Sequence, residues 1–235
     1  MVASGRLPPA ALTKMDAGLP DHAIIHAAGT CGMLRGSQFH GDMVRIGLGW
    51  TGHLTPRAEE LRTRLKVSLR PAVSWISRIA LVRHVAAGEP VGYGGRWIAS
   101  RPTRLGMIPV GYGDGYPHDA ARPADAGDPL VVGLGCDHDE SMLAAPVVGA
   151  VNMDQVAIDL TDAPDSIQVG SSVSLISACS SSPCSLEALS RRLGRPPHAL
   201  LVQIQAHVPR QHVKGREPEP DRLSAVAARS ASIVG

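Results

Sequence analysis

Beyond Leu65 the chain alternates short β-branched runs with turns rich in Gly, Pro and Asp. The runs are Val67-Ser-Leu-Arg70, Val73 to Val85, Val91-Gly-Tyr93, Trp97-Ile-Ala99, Leu105 to Val110, Leu130-Val-Val132, Val147 to Val151, Val156 to Leu160 and Ser171 to Ile176. Short runs at this spacing predict a small all-β barrel or sandwich. The pattern then turns helical. Ser185 to Leu193 reads as an amphipathic helix with Ser185 as its N-cap and Gly194 as its stop. A second helix is expected over Pro197 to His207, ahead of Val208 to Val213. From Lys214 charges alternate with Pro218 and Pro220, a composition that predicts a disordered tail over 214–235.

The N-terminal side is patterned differently. Residues 1–20 are rich in Gly, Pro and Ala. His22 to Ala28 reads as a short buried strand, Gly29 to Leu34 as a turn into a helical segment, and Asp42 to Gly49 as a second strand. Strand, short helix, strand is the grammar of a parallel βα unit. Residues 52–65 read as helix or loop with charge pairs around Glu59 and Glu60. The chain thus divides into 1–52, 53–213 and 214–235.

Composition narrows the classes. At 235 residues, with 44% hydrophobic and 19% charged residues, the chain can bury a sizeable core. Aromatics are only 3%, so that core must be aliphatic. A net charge of +2 without any Lys/Arg-rich run argues against a nucleic-acid partner. No secretory leader and no apolar run of roughly 20 residues is present, which points to a cytoplasmic protein without a membrane partner. Cys31, Cys136, Cys179 and Cys184 form no C-x-x-C pair and read as reduced structural thiols. Cys136-Asp-His-Asp-Glu140 has metal-ligating residue types, but such a run more often forms a solvated loop, and no metal is expected.

Candidate chemistry centres on Ile108-Pro-Val-Gly-Tyr-Gly-Asp-Gly-Tyr116. An apolar strand ends here, and Gly111, Gly113 and Gly115 are expected to take positive φ and turn the chain sharply. Tyr112 would then present its phenol at a strand end. Asp114 has a plainer reading as a group that hydrogen-bonds its own turn. Three further stretches join it: Pro146 to Thr161 with its polar Asn152-Met-Asp-Gln155 interruption, Gly88-Glu-Pro-Val-Gly-Tyr-Gly-Gly95, and Met43-Val-Arg-Ile-Gly-Leu-Gly49. Together, each at its expected place in the chain, they resemble the C-terminal part of the alanine racemase family, over roughly residues 24–213.

The resemblance implies a mainly β fold: a small β-barrel or sandwich preceded by a fragment, the last two strands, of a pyridoxal-phosphate-binding (β/α)8 barrel. Racemisation removes the α-proton from one face of a carbon and returns one to the other, so two bases on opposite faces are the simplest design. By resemblance one is Tyr112, acting across a homodimer, and the other is a lysine that holds the cofactor. A free phenol has a pKa near 10, so nearby cations or donors must lower it. The same resemblance puts Met153 and Asp154 at the mouth of the substrate passage and Arg45 at the cofactor's pyridine nitrogen, with His26 hydrogen-bonded to that arginine. Thr30 stands where the family has a phosphate-binding serine, and the amides of Gly47 and Leu48 are expected to help hold the phosphate. The implied substrate is alanine, feeding cell-wall synthesis.

Several positions depart from the family pattern. The three lysines, Lys14, Lys66 and Lys214, match none of the family's lysine context, and only two strands of the barrel are recognisable. His198-Ala199 stands in place of a Tyr-Glu pair whose tyrosine bonds the cofactor phosphate. His198 is therefore either a replacement phosphate donor or a surface histidine. Trp50-Thr-Gly52 replaces a usual Tyr-Gly. These departures lead to the expectation that the chain does not racemise alanine alone and needs a partner that supplies the barrel. A non-catalytic β-domain or dimerisation module is the alternative. A pyridoxal-phosphate decarboxylase of related architecture fits the Tyr112 and Met153-Asp154 motifs less well.

Overall fold

The computed structural model describes residues 24–55, 69–120, 129–135 and 142–213. The described residues fall into two compact units, one ending at Gln205 and the other starting at Ala206. In the second, the Arg210 guanidinium turns back onto the Ala206 and Val208 carbonyls at 3.4 and 3.1 Å. The first is built on nine strands. In chain order they are β1 (Trp75–Arg78), β2 (Leu81–Val85), β3 (Pro90–Val91), β4 (Trp97–Ile98), β5 (Thr103–Ile108), β6 (Val131–Leu134), β7 (Leu143–Val148), β8 (Val156–Asp159) and β9 (Ser172–Ile176). Seven of these form one antiparallel sheet in the order β1-β9-β6-β7-β8-β5-β2, and β3 and β4 make a separate ribbon.

The two edge strands of that sheet are consecutive halves of one run, the stretch Val73 to Val85 singled out by its hydrophobic pattern. The run changes partner in its middle. Ile79 donates to Ser171 O at 3.0 Å on the β9 side, and Ala80 donates to Met107 O at 2.8 Å on the β5 side. β7 does the same opposite: Leu143 to Pro146 pair with β6, and Val147 and Val148 with β8. Strands that switch partners make the corners by which a sheet closes on itself. The sheet thus curls so that its two edge strands, β1 and β2, join through Ile79–Ala80. Inside, Leu105, Ile108, Val132, Ile158, Leu160, Val173 and Leu175 are fully buried, the aliphatic core that scarce aromatics require.

Helix α1 spans Thr30–Arg35, α2 Leu186–Leu193 and α3 Pro197–Gln203. On α2, Leu186, Leu189 and Leu193 are buried, the i, i+3, i+7 stripe of a helix lying on a core. Ser185 is its N-cap, with Oγ accepting from Ala188 N at 3.3 Å, and Gly194 closes it in the left-handed region. Ser185→Ala is expected to destabilise the protein by about 1 kcal/mol in urea unfolding. Among the described residues no helix is long and apolar enough to cross a membrane.

Four expectations change. α3 stops at Gln203 rather than His207, because Ile204 is extended and the Gln205 N–H leaves the helix for Asp114 O at 3.0 Å. The run Val91-Gly-Tyr93 is strand only to Val91, since Gly92 turns away at φ 76°. The described end of the Val67-Ser-Leu-Arg70 run, at Leu69 and Arg70, forms no strand. The two N-terminal strands are absent as strands: one isolated parallel bridge joins Gly29 to Arg45, flanked by Asp42 N–H to Ile25 O at 2.9 Å and Arg45 N–H to Ala28 O at 2.8 Å. The parallel direction is as expected, but no third strand pairs with either segment among the described residues. Ile25 N–H goes to the Asp42 carboxylate instead, and Ile24 is exposed rather than buried. The predicted tail, the charge pairs at 59–60 and the Cys136 to Glu140 run lie outside the described residues.

Candidate active site

Tyr112 opens a single 3-10 turn, Tyr112–Asp114, a few residues beyond the Ile108 end of β5. Asp114 closes that turn, its carboxylate accepting from Gly111 N at 2.9 Å while its own N–H donates to Gly111 O at 3.1 Å. The turn docks on the loop between β7 and β8. Tyr112 N–H donates to Asn152 O at 3.0 Å and Gly113 N–H to Met153 O at 2.8 Å. Only Gly115 of the three glycines has positive φ, at 102°. The other two are explained by proximity. A Cβ on Gly111 would lie 2.2 Å from Asn152 O, and one on Gly113 2.8 Å from Met153 O.

This docking places Tyr112, Met153 and Asp154 around one cavity of about 730 Å³. Tyr93, Arg96, Trp97 and His118 line it as well. The Tyr112 and His118 rings meet edge to face with centroids 5.3 Å apart. Sequence reasoning assigned no role to those four. Tyr93 and Arg96 come from the turn joining β3 to β4 and Trp97 opens β4, and that ribbon reaches the cavity through two glycines. A Cβ on Gly92 would press to 2.8 Å from Ala150 N, and one on Gly149 to 2.9 Å from Val91 O. The Gly-Tyr-Gly-Gly motif was the available signal. His118 had none beyond lying close after Tyr112 in the chain.

The two phenols of the turn are sorted by burial. Tyr116 is 2% exposed, packs edge to face on Trp75, and its hydroxyl has no partner among the described residues. Burial, with the nearby Cys184 thiol adding to it, pushes its pKa far above the ordinary value of 10. That phenol keeps its proton. Tyr112 is 46% exposed at the cavity, so of the two it is the one a solute reaches.

A second group of predicted residues meets near α1. Arg45 Nη1 contacts His26 Nδ1 and donates to His26 O at 3.3 Å, the pairing expected of them. Thr30 Oγ1 accepts from Gly49 N at 3.3 Å, beside the 3-10 turn Leu48–Thr51. The N–H groups of Gly47 and Leu48 have no acceptor among the described residues, and the space where a Gly47 Cβ would point is open. His198 is exposed in the first turn of α3, and no hydrogen bond among the described residues joins it to this corner. None joins the corner to the Tyr112 cavity either.

Between the corner and the helices lies a buried polar pair. His53 Nδ1 is 2.6 Å from Glu187 Oε1, with the His53 side chain fully buried and that of Glu187 34% exposed. Burial raises the Glu187 carboxyl, but the hydrogen bond and charge of His53, with Arg191, outweigh it and hold its pKa below the ordinary 4.5. A carboxyl depressed in the fold contributes stability at pH above its unfolded value and loses it as pH falls through the folded one. Acid unfolding of Glu187→Gln is therefore expected to show a shallower fall of stability below pH 4.5 than the wild type, read from urea midpoints. Equal slopes would remove this pair from the acid response.

Comparison with known proteins adds a frame to this geometry. A model of the family described as "Alanine racemase, C-terminal domain" matches residues 72–212. The biosynthetic alanine racemase of Pseudomonas aeruginosa is 38% identical over 173 residues, which are 74% of this chain and 43% of that protein. The alanine racemase of Staphylococcus saprophyticus is 33% identical over 200 residues, 85% of this chain and 47% of that one. The chain thus spans less than half the length of these curated relatives. Among solved structures, the P. aeruginosa biosynthetic enzyme superposes with a TM-score of 0.67 at 32% identity, over 88% of this chain and 51% of that one. The alanine racemase of Bartonella henselae with covalently bound pyridoxal phosphate gives 0.69 at 28% identity, over 87% and 51%.

Proposed function

The chain belongs to the alanine racemase family through its C-terminal domain, and on that premise we propose that it contributes Tyr112 as one of two proton-transfer groups in interconverting L- and D-alanine. The observation that carries this reading is the docking of the Tyr112 turn onto Asn152 and Met153 by two backbone hydrogen bonds of 3.0 and 2.8 Å, which holds a reachable phenol beside Met153 and Asp154. A phenolate that takes a proton from carbon must be aimed, and backbone bonds on both sides of its Cα aim it. Cations at the cavity lower the cost of forming that phenolate. Arg96 lines the same cavity, and the His118 ring lies against the phenol. Met153 and Asp154, both exposed, bound the substrate's path.

The residues near α1 fit pyridoxal phosphate. Gly47 and Leu48 offer two N–H donors unused among the described residues, at a turn whose Gly47 faces open space. Thr30, Gly47, Leu48 and His198 would hold the phosphate, and Arg45, steadied by His26, would face the ring. When bound, that cofactor supplies the electron sink that makes the α-proton removable. An arginine facing its ring nitrogen disfavours protonation there and tempers the sink. His26 holds the Arg45 guanidinium in place, which is the part this chain plays in that tuning.

Lys14, Lys66 and Lys214 stand outside the motifs that place the second group, so racemisation needs a lysine from elsewhere in the assembly, together with barrel strands that pair with the parallel segments at Gly29 and Arg45. A homodimer that brings the Tyr112 cavity of one copy to the cofactor corner of another would join the two groups. The test is α-proton exchange. The purified chain with excess pyridoxal phosphate and L-alanine in D2O is expected to lose α-proton signal no faster than cofactor alone, by NMR. Adding a barrel domain from a relative as a separate chain should raise the rate well above that control. No rise with any barrel domain would favour a non-catalytic β-domain, and exchange by the chain alone would show that it carries a complete site.

A further inference from the structure

One polar contact that the proposed chemistry does not use is the His53–Glu187 pair, with the His53 side chain fully buried. Its partners are 134 residues apart in sequence, one just after the turn Leu48–Thr51 and the other in the first turn of α2. A carboxylate only accepts, so Nδ1 of His53 is the donor. The pair has no second anchor among the described residues: His53 Nε2 and Glu187 Oε2 are both buried without a hydrogen-bond partner. One bond at 2.6 Å is therefore the pair's whole link, and sliding either element by an ångström would leave the buried imidazole and the carboxylate without it. Apolar side chains would bury as well at this place and tolerate such sliding. A single donor aimed at a single oxygen does not.

What the bond joins is informative. The segment after the turn is held on its other side by Ala72 N–H to Thr51 O at 3.0 Å, and Leu54 packs with Leu34 and Leu69. α2 packs on α3, and the link between them is tied to Ser190 of α2: Arg195 N–H donates to Ser190 O at 3.1 Å, and Ser190 Oγ donates to Arg195 O. α3 carries His198. The two ends of this chain of contacts are the two places that the cofactor reading assigns to one phosphate.

We propose that His53 and Glu187 are a positioning pair that sets the Gly47–Leu48 turn against the α2–α3 helices, so that the amides of that turn and the His198 imidazole are presented to a single phosphate group. The proposal rests on the cofactor reading above. Neither residue touches the ligand. Their effect is on how well the phosphate, rather than the pyridine ring, is held.

The test compares pyridoxal phosphate with pyridoxal, which shares the aldehyde and ring but lacks the phosphate. Affinities of the full chain for each are measured by equilibrium dialysis, below the temperature at which circular dichroism shows any unfolding. The wild type is expected to prefer the phosphorylated ligand. His53→Asn places an amide nitrogen where Nδ1 stands and should keep that preference within about twofold. His53→Gln places it where Nε2 stands and should reduce the preference about tenfold, leaving pyridoxal affinity unchanged. Where His53→Gln does not fold, the double variant His53→Leu/Glu187→Leu replaces the pair by packed apolar groups and should fold yet lose the preference. Wild-type preference in folded His53→Gln or in the double variant overturns the positioning role. Absence of any preference in the wild type overturns the cofactor reading itself, and the positioning role with it.

Discussion

Tyr112→Phe is expected to lower alanine racemisation by about 10²–10⁴-fold, the range set by removing a positioned acid–base group, in a chimera where residues 72–212 replace the matching domain of a full-length relative. The fall must be equal in both directions. Enantiomers have equal free energies, so the ratio of kcat/KM for L- and D-alanine is fixed at unity whatever the enzyme. The asymmetry appears elsewhere. With one of two bases gone, α-proton exchange without inversion in D2O should persist for one enantiomer and vanish for the other. Folding should be untouched, because the ring and its edge contact with His118 survive and the Tyr112 hydroxyl makes no hydrogen bond among the described residues. Thermal unfolding by circular dichroism checks that half. Equal exchange of both enantiomers with unchanged racemisation would reduce Tyr112 to a structural turn residue. Tyr116→Phe is the matched control: its phenol is buried without a partner and held protonated, so it cannot replace Tyr112 as a base.

Much of this arrangement was legible in the order of residues. Val73 to Val85 read as one run, and one run it is, although its partner switch at Ile79–Ala80 is invisible locally because it is decided by strands distant in sequence. Ser185 and Gly194 bracketed α2 correctly because caps are local chemistry. The N-terminal segments show the opposite case. Ile24, Ile25, Met43 and Ile46 carry strand-forming composition, yet a ladder needs neighbours, and among the described residues the one bridge between these two segments is Gly29 to Arg45. Tyr112, Met153 and Asp154 were found together because two motifs meet. Arg96 and Trp97 were missed because what brings them there is the close approach of Gly92 to Ala150, a long-range fact that the Gly-Tyr-Gly-Gly motif marks only by its glycines. The expected positive φ at Gly111 failed for a related reason: glycine was required there by a neighbour rather than by a torsion.

That neighbour gives Gly111→Ala a large expected structural effect at the site. Gly111 is extended, at φ −139° and ψ −164°, a conformation alanine adopts freely. The cost is therefore steric. The new Cβ would lie 2.2 Å from Asn152 O and 2.4 Å from both Met153 C and O, all backbone atoms that no rotamer change can clear. The turn must lift off the β7–β8 loop, breaking the Tyr112 N–H bond to Asn152 O and the Gly113 N–H bond to Met153 O. Overpacking costs about 1–3 kcal/mol and each of the two lost bonds about 1 kcal/mol, so about 3–5 kcal/mol is expected, or roughly 6–20 °C in Tm for a domain of this size. The same lift moves Tyr112 away from Met153 and Asp154. In the chimera, Gly111→Ala should thus lose activity at temperatures where it is still folded, a loss that Ser185→Ala, whose cap lies in α2, should not share. A Gly111→Ala protein with wild-type melting and activity would mean that the loop yields without cost. The phenol would then not be aimed by its backbone, and the placement of Tyr112 would have to come from whatever packs on the cavity in the assembled enzyme.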